Sequence, residues 1–150
     1  MDMGIGLWCL QSTATSPRSF GQAYQELAED ARLAEDNGIH SLWLSEHHGY
    51  YDGYCPALMP AAGAALAATE SLQIGTGVLL LPLHEPHRVA NAANLLTEQS
   101  SGRFQLGVGM GYRPVEFEIK ERDMSHRLKL MNAGLDVLRT TTQTPTWVGI

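Results

Sequence analysis

The run Leu42-Trp43-Leu44-Ser45-Glu46-His47-His48 passes abruptly from apolar to ionisable side chains. Strands of a parallel α/β sheet are buried on both faces, so they read as continuous apolar sequence, and ligands meet them at their carboxyl ends. The run therefore predicts a buried parallel strand with Glu46, His47 and His48 at its ligand-facing end. Histidine changes charge near neutral pH, which suits it to move a proton or to hydrogen-bond a polar ligand. Taken alone, two imidazoles in this position are as well explained by packing or exposure as by chemistry.

The flanking sequence repeats the pattern. Gly4 to Leu10 reads as a strand, and Phe20 to Asn37 carries Ala23, Leu27, Ala31 and Ala34 at the spacing of one helical face. Asn37-Gly38 closes that helix before the strand from Ile39 to Ser45. Leu58 to Thr69 is an alanine-rich helix, Leu72 to Leu81 a β-prone run, Arg88 to Gln99 a helix, Phe104 to Val108 a strand, and about His126 to Leu138 a fourth helix. Strands starting near residues 4, 40, 72 and 104 recur at roughly 30 to 35 residues, the length of a βα unit with its right-handed crossover. Thr146-Trp147-Val148-Gly149-Ile150 opens a fifth strand after a polar turn. Four units and a strand stub fall short of the roughly 250 residues of a closed (β/α)8 barrel. Periodicity leaves two architectures open, a doubly wound sheet or the first half of a barrel, with no linker dividing the chain.

Composition narrows the function classes. The 150 residues are 44% apolar and 17% charged, a globular balance. A net charge of −6 argues against a nucleic-acid partner, since phosphate-backbone binders concentrate Lys and Arg. Cys9 and Cys55 form no Cys-x-x-Cys pair, so neither a disulfide framework nor a cysteine zinc site is indicated and a reducing cytoplasm is the expected compartment. Met1-Asp2-Met3-Gly4 does not begin an export signal, and no apolar run reaches the ~20 residues of a membrane span, so no membrane partner is expected.

Two further strand ends carry glycine and polar groups. Ile74-Gly75-Thr76-Gly77 runs through Leu79-Leu80-Leu81 into Pro82-Leu83-His84-Glu85-Pro86-His87-Arg88, and glycines inside a strand admit a close backbone or a flat ligand. Gly107-Val108-Gly109-Met110-Gly111-Tyr112 imitates a dinucleotide fingerprint but has Tyr112 at the third glycine and Arg113-Pro114 where the helix should begin. What remains is a glycine-rich turn able to offer N–H groups to an anion or a ring edge. Arg127 and Arg88, near helix starts, could clasp a phosphate. With no His-x-His on the first strand and no Glu-x-x-His helix, no metal site is expected. Hydrolase elbows and Walker loops are missing.

Together, Trp43 to His48, Leu72 to Gly77 running on to Pro82 and Pro86-His87-Arg88, and Ser101-Gly102-Arg103-Phe104-Gln105-Leu106-Gly107-Val108-Gly109 resemble the bacterial luciferase-like monooxygenase family, in order and spacing, over nearly all 150 residues. The resemblance implies a (β/α)8 barrel, of which this chain would supply about four βα units and a fifth strand stub as one domain. It also implies FMN, or alternatively a deazaflavin coenzyme, bound at the strands' carboxyl ends. By the same resemblance His47 is the catalytic or cofactor-facing imidazole, supported by Glu46 and His48. A bulge or non-proline cis peptide is implied about Val78, Leu79 and Leu80, behind the flavin ring. Gly109, Met110, Gly111 and Tyr112 would line the cofactor, with Arg127 at its phosphate; Met110 departs from the arginine or small polar residue of many members.

The implied reaction is that of reduced FMN with O₂ and a small organic substrate, His47 managing a proton. Hydride transfer on a deazaflavin without O₂ is the nearest alternative. A different class is an inactive half-barrel that only binds flavin or self-associates. The family's remaining phosphate ligands come from later strands, and open sheet edges at the first and last strands predict a homo-oligomer.

Overall fold

The structure is a computed structural model that describes residues 2–7, 12, 14–15, 17–50 and 54–149. Six strands, β1 (Gly4–Leu7), β2 (Ser41–Leu44), β3 (Gln73–Thr76), β4 (Leu79–Leu80), β5 (Phe104–Gly109) and β6 (Thr146–Val148), form one sheet in which every pairing is parallel. Between them run α1 (Phe20–Asp36), α2 (Leu58–Ala68), α3 (Pro86–Gln99), the short α4 (Pro114–Ile119) and α5 (Arg127–Thr141). β1 pairs β2, β2 pairs β3 and β3 pairs β5, with β3 and β4 sharing one side of β5 and β6 taking the other. A doubly wound sheet reverses strand order at its switch point. This order never reverses, so the fold is part of a (β/α)8 barrel.

Helical periodicity locates the core. Ala23, Leu27, Ala31 and Ala34 of α1 are buried as the spacing predicts, and the helix starts at a capping box in which Ser19 and Gln22 satisfy each other's backbone N–H. The helices pack in sequence, α1 on α2, α2 on α3 and α3 on α5, against Leu42, Leu44, Ile74, Phe104, Leu106 and Val108 of the sheet. The motif Ser101-Gly102-Arg103 acts here as well. Ser101 and Gly102 take left-handed φ of 55° and 87°, and Arg103 donates to the carbonyls of Leu66 and Leu72 and to the Thr69 hydroxyl, closing the end of α2.

The first strand is described from Gly4 to Leu7, and residues 8–10 of the strand expected to Leu10, Cys9 among them, lie outside the described residues. The single strand expected from Leu72 to Leu81 is two, because Thr76, Gly77 and Val78 stand opposite only Leu106 and Gly107 between the pairs Gly75↔Gln105 and Leu79↔Val108. That extra residue is a bulge, with a cis peptide between Gly77 and Val78. The Thr76 hydroxyl restores the bonds that the bulge interrupts, accepting from Gly107 N–H at 2.8 Å and donating to Gly107 O at 2.7 Å. A Cβ on Gly107 would run into the Thr76 carbonyl, which is why β5 has glycine there. The short α4 follows the expected turn Gly109 to Tyr112, with Pro114 at its first position, where a missing N–H is harmless.

Candidate active site

Glu46 is the hub of the β2 end. One carboxylate oxygen accepts from His48 Nε2 at 2.6 Å and His84 Nε2 at 2.7 Å, and the other accepts from Leu80 N–H at 2.7 Å. Burial works to raise its pKa, but these bonds and the His84 imidazole outweigh burial and hold the carboxyl down to about 2. Glu46 thus ties β2 to β4, and Gly77 N–H to Leu44 O at 2.6 Å ties β2 to the bulge.

A second carboxylate, Glu116 on α4, is 0% exposed and was not anticipated. Its Oε1 lies 2.8 Å from His47 Nδ1, accepts from His48 N–H at 3.0 Å, and is 3.4 Å from Arg113 Nη1. Arg113 also donates to His48 O at 3.2 Å and stacks 4.1 Å over the Tyr50 ring. The His47 ring meets Tyr54, Tyr50 and Tyr112 edge-on, with centroids 4.5, 5.7 and 6.2 Å away.

These groups face a cleft of about 450 Å³ at the carboxyl ends of the strands. Ser45, Glu46 and His47 line it from β2, and Gly77, Val78 and Leu80 from the bulge and β4. Gly109, Met110, Gly111 and Tyr112 follow β5, and Arg127 and Gly149 complete it. Gly111 has φ of 74°, so the turn needs glycine. Among the described residues the Arg127 side chain makes one hydrogen bond, Nη1 to Met124 O at 3.3 Å, leaving donors for a ligand.

Of the residues singled out from sequence, the cleft gathers Glu46, His47, Val78, Leu80, Gly109, Met110, Gly111, Tyr112 and Arg127. His48 is buried and turned to Glu46, and Leu79 is in the helix-side core, because successive side chains of a strand point to opposite faces. Arg88 lines a separate hollow with Leu83, His84 and Glu85. Glu116 had one signal in the sequence, Pro114 opening a helix with an acid in its first turn.

Donor atoms of Glu46, His48 and His84 lie within 4.8 Å of one another. They are already bound to each other. With Glu46 ionised, contacts of 2.6 and 2.7 Å require a proton on each Nε2, and a metal would have to displace both. Cys55 is buried, and burial together with the Glu46 charge pushes its thiol up to about 11, so it has no thiolate to offer.

The family model described as luciferase-like monooxygenase matches residues 3–149. The chain belongs to the luciferase-like monooxygenase family. This luciferase-like chain is 32% identical over 117 residues to the alkanal monooxygenase alpha chain of the Kryptophanaron alfredi symbiont, covering 78% of itself and 33% of that protein. It spans about a third of the length of the curated relatives it matches, 33% and 31% for two alkanal monooxygenase alpha chains. Among solved structures, monooxygenase RslO1 from Streptomyces bottropensis superposes with a TM-score of 0.84 at 29% identity, over 93% of this chain and 42% of that one. The oxygenating constituent of 3,6-diketocamphane monooxygenase from Pseudomonas putida, a type II Baeyer–Villiger enzyme in complex with FMN, gives 0.83 at 22%, over 92% and 39%. An F420-dependent secondary alcohol dehydrogenase with an F420-acetone adduct gives 0.73 at 23%, over 92% and 41%. The last two likenesses concern the fold. No helix among the described residues is long and apolar enough to cross a membrane.

Proposed function

We propose that residues 1–150 act as one domain of a flavin-dependent oxidoreductase that oxidises a small organic substrate with O₂. The observation that carries this reading is the cleft itself, which collects His47 and Arg127 around glycine-bordered backbone at the strands' carboxyl ends. The donor set suits FMN. Val78, Leu80 and Met110 offer an apolar wall to a planar ring, and Arg127 offers a planar cation with spare donors to a phosphate. When bound, the flavin supplies the redox chemistry. The protein's part is to hold the ring against Val78, exclude water with the tyrosines around His47, and hold or accept a proton at the imidazole.

Titration with FMN, followed by flavin fluorescence and then by oxygen uptake with NADH-reduced flavin, tests the reading. Saturable binding that Arg127→Ala weakens supports it, and a chain that leaves flavin fluorescence unchanged refutes it. The likeness to an F420-dependent dehydrogenase favours a second reading, hydride transfer on a deazaflavin without O₂. Preferential binding of the deazaflavin, with no oxygen uptake, would select it.

A third reading, a half-barrel that self-associates, draws on Trp147 and Val148 of β6, exposed to 60% and 55%. Size-exclusion chromatography with and without FMN separates it from the first two.

A further inference from the structure

We propose that Glu116 is a positioning residue that sets the tautomer of His47 and aims its Nε2 into the cleft. The proposal rests on the reading of His47 as the proton-handling group, and its test is chosen to stand apart from that reading.

Three observations carry it. The Glu116 Oε1 lies 2.8 Å from His47 Nδ1. A carboxylate can only accept, so the shared proton belongs to Nδ1, and the other ring nitrogen is left bare as an acceptor. That nitrogen makes no hydrogen bond to a described residue, and the ring lines the cleft with its side chain 15% exposed. Next, Glu116 is itself held, by the His48 N–H at 3.0 Å and by Arg113 at 3.4 Å, whose guanidinium is braced on Tyr50. The imidazole is therefore oriented through a chain of fixed groups rather than by one mobile side chain. Finally, Glu116 Oε2 is buried with no hydrogen-bond partner. A buried carboxyl oxygen left without a partner weakens a fold. Its bonds to the His48 N–H and to Arg113 hold Glu116 in place, and its contact with His47 Nδ1 is the one that reaches the cleft. Glu46 offers the contrast: both its oxygens are bonded, and its imidazole partners are His48 and His84.

The experiment is a ¹⁵N-histidine spectrum of the flavin-free chain above neutral pH, with His47 assigned by its loss in His47→Gln. The expected result is a His47 protonated at Nδ1 and bare at Nε2. Glu116→Gln, whose amide can also donate to Nδ1, should raise the Nε2–H tautomer, and Glu116→Asp should recover the original one. A wild-type His47 protonated at Nε2 overturns the proposal even if no variant folds, as does a Glu116→Gln tautomer ratio equal to wild type. In the loaded enzyme Glu116→Gln should lower kcat about a hundredfold or more, the scale of one positioned proton transfer, while flavin affinity changes by less than about threefold. If the tautomers behave as expected but no variant, wild type included, binds flavin, it is the flavin reading that fails and the positioning role stands.

Discussion

Two glutamates, Glu46 and Glu116, are buried within the same few loops, and each grips a histidine of the pair His47-His48. Glu46 is saturated. Its oxygens hold His48, His84 and the backbone of β4, and its carboxyl is held down to about 2 despite burial. Glu116 has one oxygen bonded and one orphaned, and the imidazole it holds opens to the cleft. The acid with both oxygens bonded serves the fold; the one with an orphaned oxygen, beside a cleft-lining imidazole, is the one proposed to serve chemistry.

The contrast can be broken in several ways. The largest effect is expected at His47, where alanine should abolish turnover, a loss of about 10²- to 10⁴-fold, while flavin binding is retained. Unchanged oxygen uptake would remove His47 from the mechanism. Next, Glu46→Ala should lower stability by about 3–5 kcal/mol in a urea melt, since two imidazole N–H groups and the Leu80 N–H lose a buried acceptor. Glu116→Gln, of equal shape, should cost far less stability; the reverse order would sink the division between the two acids. Arg127→Ala should weaken flavin binding about 10- to 100-fold, as expected for a charge-assisted bond to phosphate, and should leave the melt unchanged.

The smallest effect is on acid stability. Glu46 and Glu35 both have pKa values lowered from 4.5 to about 2, Glu35 because bonds from Ser71, Glu70 and Leu72 overcome the opposing effect of burial. A depressed folded-state pKa contributes stability that is fully present above about 4.5 and lost as pH falls towards 2. Thermal melts between pH 6 and 2.5 should therefore decline across that window, and Glu46→Gln should flatten the decline.

Much of this was legible beforehand. Leu42 and Leu44 announced a buried strand, Ala23 to Ala34 a helical face, and the positions after Leu44, Gly77 and Val108 three corners of one cleft. The break in the third strand was legible only through the family resemblance, which implied a bulge or cis peptide about Val78 to Leu80; the residues alone hid it, because Val78-Leu79-Leu80-Leu81 is as β-prone as what precedes it and the bulge exists only in register with β5. The short α4 was not legible, too brief to show a period.

The sequence by itself determined the alternation of strands and helices and where each strand's carboxyl end falls, since these depend on neighbours a few residues apart. The tertiary structure alone decided which side chains meet there. His47 and Glu116 are 69 positions apart and Glu46 and His84 are 38 apart. They meet because parallel pairing without reversal stacks the carboxyl ends of successive strands side by side, a geometry that no local preference encodes.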